Sequence, residues 1–186
     1  MKPLLVLSLL ALLAGCQTVP MTTPAERPAG LHSWDLSGRL GYRAGDDGGS
    51  ANVDWQQRDE RGELAFSGPL GMGSALIRWQ PGHAVLDTGK ERVEAANSTE
   101  LAWRLTGLML PVEALQYWVR GLPWPVMDGT PTFNELGQLT ALQQAGWSLD
   151  FDRYGEVDGL QLPFRIRARQ GDQRFTLIVK NWEPLP

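Results

Sequence analysis

The sequence predicts a mainly β, α+β fold: a meander of short antiparallel strands with two short helices inserted into it. Three observations predict this. Apolar and polar residues alternate from Trp34 to Trp79, the period of a sheet with one buried face. Between Leu101 and Leu122 the apolar period lengthens to that of a helix. Alternation then returns from Leu139 to Val179, and turn-forming clusters such as Gly45-Asp46-Asp47-Gly48-Gly49 separate the alternating runs. At 186 residues the chain is long enough for one domain with a sizeable core, and no internal repeat is evident.

The chain opens with a segment that does not belong to that domain. Lys2 supplies a short positive region, and Leu4 to Leu13 an apolar run too brief for a transmembrane helix, which needs about 20 residues. Leu13-Ala14-Gly15-Cys16 follows, with the form of a lipobox. A small residue before the cysteine permits signal-peptidase cleavage, and the thiol is the nucleophile for diacylglycerol attachment. The alternative is an ordinary signal peptide that happens to contain a cysteine. The spacing opposes it, and so does the absence of any other cysteine. A free thiol in an exported protein is a liability, whereas an acylated one is not. Residues 1–15 are therefore expected to be a lipoprotein signal peptide and Cys16 the lipid attachment site. Gln17, rather than Asp, points by the enterobacterial sorting rule to the outer membrane, facing the periplasm. Residues 16–30 are expected to be the lipidated N-terminus and a flexible tether, with Pro20, Pro24 and Pro28 and no apolar period. Removal of Lys2 takes the formal charge from −4 to about −5. That mild acidity argues against a nucleic-acid partner.

Within the domain, Trp34, Leu36, Leu40 and Tyr42 share one face of the first strand, and Ala51, Val53 and Trp55 the same face of the second. Glu63 to Phe66 leads into a loop, and Ala75, Ile77 and Trp79 face inward after it. Val85–Asp87 and Arg92–Glu94 form a short hairpin around Thr88-Gly89-Lys90. Asn97-Ser98-Thr99 offers caps for a helix whose stripe is Leu101, Leu105 and Leu108. Pro111 suits the first position of a second helix and Gly121 its C-terminal cap, with Val112, Leu115, Val119 and Leu122 on one stripe. Two such short helices cannot stand alone. They pack most simply as a lid over the concave face of the sheet. Strands resume at Leu139–Gln144. Trp147, Leu149 and Phe151 then face inward, followed by Leu160, Leu162, Phe164, Ile166 and Ala168, and finally Phe175, Leu177 and Val179.

Two features carry functional information. The loop Phe66-Ser67-Gly68-Pro69-Leu70-Gly71-Met72-Gly73-Ser74 has the glycines and proline of a turn, but also two large apolar side chains where tips are ordinarily polar. Leu70 either plugs the end of the core or is exposed for contact with something apolar. Second, eight tryptophans are hard to bury together with every indole N–H satisfied. They imply either a solid core or an aromatic-lined concavity suited to a hydrophobic ligand. Catalytic chemistry is not indicated. His32 and His83 lack partners at metal spacing, and no nucleotide or nucleophile motif is present. The inventory argues for binding rather than catalysis, with no cofactor and no metal.

Short stretches spread along the chain resemble a known family. They are the lipobox with Gln17, Gly38-Arg39, Trp55-Gln56-Gln57, Pro69-Leu70-Gly71, and Leu105-Thr106-Gly107 with Pro111 after it. Trp118-Val119-Arg120-Gly121-Leu122-Pro123, Trp147, Leu162-Pro163 and Asn181-Trp182 complete the set. In this order the chain resembles the LolB family of outer-membrane lipoproteins. One departure is Phe66-Ser67-Gly68 before Pro69, where some members place a polar Asn beside the proline. The resemblance implies that residues 31–186 are a single LolA/LolB-like lipoprotein-binding domain. Its fold would be a half-open antiparallel β-barrel with short α-helices forming a lid over an apolar cavity. Candidate cavity residues are Leu40, Val53, Trp55, Leu64, Phe66, Ile77, Trp79, Leu105, Leu115, Trp118, Trp147, Leu149, Phe164 and Ile166. The membrane-insertion loop would be Pro69, Leu70, Gly71 and Met72, with Leu70 exposed.

By the same resemblance, the protein would be a monomer that accepts client lipoproteins from the periplasmic carrier LolA. It would insert them into the inner leaflet of the outer membrane, so client acyl chains and outer-membrane phospholipid are expected partners. Arg165, Arg167 and Arg169 are expected to face outward, either to dock an acidic carrier or lipid headgroups or simply as a solvated strand face. The competing class is a periplasm-facing scaffold for envelope assembly without a lipid cavity. A tethered hydrolase is a third.

Overall fold

The computed structural model describes residues 28–68 and 73–186. A short 3-10 turn, Pro28–Gly30, leads into β1 (Ser33–Ala44), β2 (Asp47–Arg58), β3 (Arg61–Ser67), β4 (Ser74–Gln80), β5 (His83–Asp87) and β6 (Arg92–Ala95). Two helices follow, α1 (Ser98–Thr106) and α2 (Val112–Trp118). The chain then returns to β7 (Gly129–Phe133), β8 (Leu139–Gln144), β9 (Trp147–Val157), β10 (Leu160–Gln170) and β11 (Gln173–Leu185).

All the strands belong to one antiparallel sheet in the order β6-β5-β4-β3-β2-β1-β11-β10-β9-β8-β7. Every neighbour is a hairpin partner in sequence except β1 and β11, which join the two ends of the domain at the centre of the sheet. The edges are therefore β6 and β7, and the helical segment runs from one to the other. Among the described residues the sheet is not closed, and the fold is a mainly β open barrel with two short helices; the residue pattern predicts the strands and helices, and the family resemblance implies the open barrel.

The central joint explains the Gly38-Arg39 pair. The pairing of β1 with β11 shifts between Ser37 and Gly38. A Cβ at Gly38 would run into the backbone carbonyl of Ile178 on β11, so only glycine allows the two strands to meet there. At α1, Asn97 is the N-cap and its side chain accepts the Glu100 N–H at 3.0 Å. α1 lies on β4 and β5, where Leu101 and Ala102 bury against Ile77, Ala84 and Leu86. Thr99 joins the two helices: its hydroxyl donates to Glu113 at 2.7 Å and accepts the Val112 N–H at 3.0 Å.

Three sequence expectations shift in detail. Pro111 is the N-cap of α2 rather than its first helical residue, and α2 ends at Trp118 before Val119 and Leu122 of the expected stripe. Leu108 is fully buried, yet it lies beyond the end of α1. β7 was not foreseen: every residue in it is exposed and Pro131 sits within it, so it has no inward face to create an alternating pattern.

Candidate functional site

The two ends of the sheet interior are packed differently, and cross-strand pairing accounts for it. At the end where β1 begins, large side chains oppose large ones across β11, β1, β2 and β3, while Trp79 on β4 lies over Gly62. Leu36 pairs with Trp55 and with Trp182, and Trp55 with Leu64. Trp34 lies against Trp55 and Trp182 with ring centroids 4.9 and 5.1 Å away, and Trp55 against Trp79 at 6.0 Å. This is a closed aromatic layer. Two buried glutamines satisfy much of it. Trp55 Nε1 donates to Gln57 Oε1 at 3.0 Å, and Trp118 Nε1 to Gln144 Oε1 at 2.8 Å. Trp182 Nε1 donates to the Pro163 carbonyl at 3.3 Å. Trp147 Nε1 is buried without a hydrogen-bond partner among the described residues.

At the other end each large side chain has one small cross-strand partner, although its second partner is large: Leu40 also pairs with Leu177, Tyr42 with Phe175 and Phe66 with Val53. Tyr42 pairs with Gly49, Leu40 with Ala51 and Phe66 with Ala75. The missing volume leaves a cleft of about 400 Å³ between the sheet and the C-terminal part of α1. Leu40, Tyr42, Ala51, Phe66, Ala75 and Leu105 form its apolar lining, and Ser50, Ser74, Thr88, Lys90 and Thr106 its polar rim. Gly68 and Gly73 also border it, and the Gly68 N–H donates to the Gly73 carbonyl at 3.0 Å. Those two glycines bracket Pro69, Leu70, Gly71 and Met72. The cleft thus opens at the base of the loop that the sequence singles out. The loop itself and Cys16 lie outside the described residues.

Of the candidate cavity residues, Leu40, Phe66 and Leu105 line this cleft. Val53, Trp55, Leu64, Trp118, Trp147, Leu149 and Ile166 are buried in the main core, and Ile77 in the smaller cluster beneath α1. Trp79, Leu115 and Phe164 are half-buried against those cores. Sequence reasoning placed Ala51 and Ala75 on inward faces but named neither of them, nor Gly49, as a cavity residue. Their signal was smallness at inward positions, which becomes legible only once the register shows what each one faces.

On the outer sheet face, Asp152 of β9 holds Arg165 in a bidentate pair with both contacts at 2.5 Å, and Arg167 stands 3.3 Å from it. The Arg165 hydrogen bonds keep the Asp152 carboxyl below the usual carboxylate range. Arg169 instead faces Arg174 directly, and Arg174 faces Arg43. This row of like charges lies across three strands at the cleft end. The outward placement of Arg165, Arg167 and Arg169 follows the sequence expectation, but their partners differ.

The outer membrane lipoprotein LolB family model matches residues 32–182. The chain belongs to the LolB family. It is 35% identical over 190 residues to the outer-membrane lipoprotein LolB of Chromohalobacter salexigens, covering 96% of this chain and 89% of that one. It is likewise 35% identical over 198 residues to the LolB of Ectopseudomonas mendocina, covering 99% and 97%. Among solved structures, a LolA superfamily protein from Nitrosomonas europaea superposes with a TM-score of 0.57 at 7% identity, covering 84% of this chain and 87% of that one. A DUF1329 family protein from Desulfovibrio piger gives 0.53 at 7% identity, with the same coverage. At that identity the likeness concerns fold alone. As a LolB-family member this protein is an outer-membrane lipoprotein of the Lol pathway, lipid-anchored and facing the periplasm, and not an enzyme.

Proposed function

We propose that this LolB-family chain receives lipoproteins from the carrier LolA and inserts them into the inner leaflet of the outer membrane. In this reading the cleft holds the client acyl chains. The observation that carries the reading is the apolar cleft of about 400 Å³ at the end of the strands where residues 69–72 emerge. Leu40, Phe66 and Leu105 would touch the acyl chain, and the closed aromatic layer would form the floor of the cavity rather than its wall.

The energetics set the route. An acyl chain with about 14 buried methylenes costs on the order of 11 kcal/mol to expose, at about 0.8 kcal/mol per methylene. A client cannot cross water between carrier, receptor and bilayer. Each handover must be mouth to mouth, and the chain must bind more tightly than the carrier and less tightly than the bilayer. Cys16 would carry the anchor after removal of residues 1–15. Leu70 would enter the bilayer at delivery, and the receptor would act as a monomer in contact with phospholipid. Arg43, Arg169 and Arg174 form no ion pair among the described residues, so this row, rather than Arg165, is the cationic surface offered to an acidic face of the carrier.

The test is acyl-chain uptake by the soluble domain beginning after Cys16. A brominated fatty acid should quench tryptophan fluorescence saturably. Ala51→Trp fills the cleft and should cut affinity at least tenfold while the domain stays folded. Uptake unchanged by Ala51→Trp would remove the chain from this cleft. No uptake by the parent domain would favour the scaffold reading.

A further inference from the structure

Arg120, just after α2, is a buried cation that the fold leaves incompletely matched; it is 4% exposed. Its Nε donates to the Gln116 carbonyl at 2.8 Å, and Nη1 to the Pro28 carbonyl at 3.3 Å and to the Leu31 carbonyl. These bonds leave the two N–H groups of Nη2 without a hydrogen-bond partner among the described residues. The acceptors are all neutral, and the Tyr117 ring centroid lies 5.1 Å from Cζ. Arg120 forms no ion pair among the described residues. Burial pulls its pKa below the ordinary value. A charge taken out of water without a counter-charge is costly, and carbonyl dipoles restore only part of its lost hydration.

The same side chain lines a small pocket of about 60 Å³ where β7 turns into β8. Pro123, Leu139 and Tyr154 form its wall, and Gln161 adds a polar group. Phe133 and Leu136 border it as exposed apolar side chains, 41% and 69% accessible. Tyr154 pairs with Pro163, whose carbonyl receives the Trp182 indole, so the pocket lies at the closed end of the sheet and away from the cleft. Its size limits what enters. A single water occupies roughly 10–15 Å³ of such space, so the pocket admits a headgroup of a few heavy atoms and no acyl chain.

We propose that this pocket is a second binding site, in which Arg120 takes a single carboxylate whose apolar stem runs outward over Leu136 and Phe133. Charge decides the headgroup. One monovalent anion neutralises one guanidinium, whereas a dianionic phosphate would leave an excess negative charge among Pro123, Leu139 and Tyr154. The unused Nη2 N–H groups suit a carboxylate oxygen in a charge-assisted bond. The exposed side chains at the mouth decide the stem, because they offer apolar area to a ligand that the pocket itself cannot enclose. Such a carboxylate belongs to a free carboxylic acid or to the C-terminus of a peptide ending in an apolar residue.

The experiment uses the mature lipidated chain in phospholipid nanodiscs, labelled with 15N at arginine and 13C at tyrosine. The Arg120 Nε–Hε and Tyr154 ring resonances are the reporters, and both belong to the pocket rather than the cleft. Hexanoate is titrated against hexanol, hexylamine and sodium chloride. N-acetyl-Gly-Leu with a free C-terminus is titrated against its amide. Hexanoate or the free-acid peptide should move both resonances saturably, with a half-saturation at least tenfold lower than its uncharged counterpart. Whichever of the two saturates at the lower concentration identifies the source of the carboxylate. Leu136→Glu sets a carboxylate of the chain's own at the mouth and should weaken binding at least fivefold. Arg120→Gln should abolish it, and Leu136→Glu decides the matter if Arg120→Gln does not fold. Unmoved resonances with both acids would overturn the inference. So would an equal response to hexanol or chloride, or parental affinity in Leu136→Glu.

Discussion

At the residue scale, two glutamines show what an aromatic core requires. Gln57 is 1% exposed. It accepts the Trp55 indole N–H and donates to the Asp59 carbonyl at 2.6 Å, which makes Trp55-Gln56-Gln57 a structural unit. Gln144 does more. It accepts from Trp118 Nε1 and from the Trp124 N–H, and it donates to the Trp124 and Met127 carbonyls. One amide thus ties α2 and the chain after it to β8. Gln144→Leu would leave these groups buried and unpaired, at about 1–3 kcal/mol for each lost partner after partial relaxation. We expect a net loss of about 3 kcal/mol, read from the midpoint of urea unfolding. Asp152 makes a pH-dependent contribution. Its carboxyl titrates below its unfolded value of about 3.9. The stabilisation is therefore fully present above that value and is lost as pH falls through the depressed one. Asp152→Asn should flatten the fall in stability below about pH 4, where the unfolded-state carboxyl begins to protonate, and an unchanged acid limb would show that the Arg165 pair adds nothing.

At the element scale, α1 is the piece that could be read almost entirely from sequence. Asn97 caps it, and Gly107 ends it at a φ of 70°. Leu101 and Leu105 are its buried and half-buried stripe. Its exact seat on β4 and β5, with Leu105 over the cleft, could not be read, because the stripe says only that something apolar lies beneath. β7 was invisible for the opposite reason. An edge strand with both faces exposed has no hydrophobic period, and it exists because β8 supplies its hydrogen bonds. The loop between β3 and β4 belongs to this scale as well. Leu70→Glu should leave acyl uptake by the cleft unchanged and reduce delivery to vesicles at least tenfold. A charge at the tip must be desolvated to enter lipid. Normal delivery by Leu70→Glu would end the insertion role proposed for that residue.

At the scale of the whole molecule, the functional contrast lies between the two ends of one sheet. The large-on-large layer of Trp34, Trp55 and Trp182 closes one end, and the large-on-small pairs at Leu40, Tyr42 and Phe66 leave the other open. Ala51→Trp tests the open end directly, because it converts a large-on-small pair into a large-on-large one. The experiment follows from topology. β1 pairs with β11 at the centre of the sheet, so the chain leaves the domain beside the closed end and the cleft lies a strand's length away.

Local chemistry alone determined much of this protein. Period-2 alternation specified inward and outward faces, glycine and proline placed the turns, and the cap at Asn97 started α1. Each of these depends on a few neighbouring residues, and so does the spacing of apolar residues that marked both helices. Only the tertiary structure decided which tryptophans lie in a closed core and which positions border a space. Whether an inward residue leaves a hollow depends on the volume of the side chain opposite it, and that partner is chosen by register between strands distant in sequence. The same reason hid Arg120. In the chain it is one charged residue just after α2, and it becomes the buried partner of the Pro28 and Leu31 carbonyls because folding brings them to it from some ninety residues away.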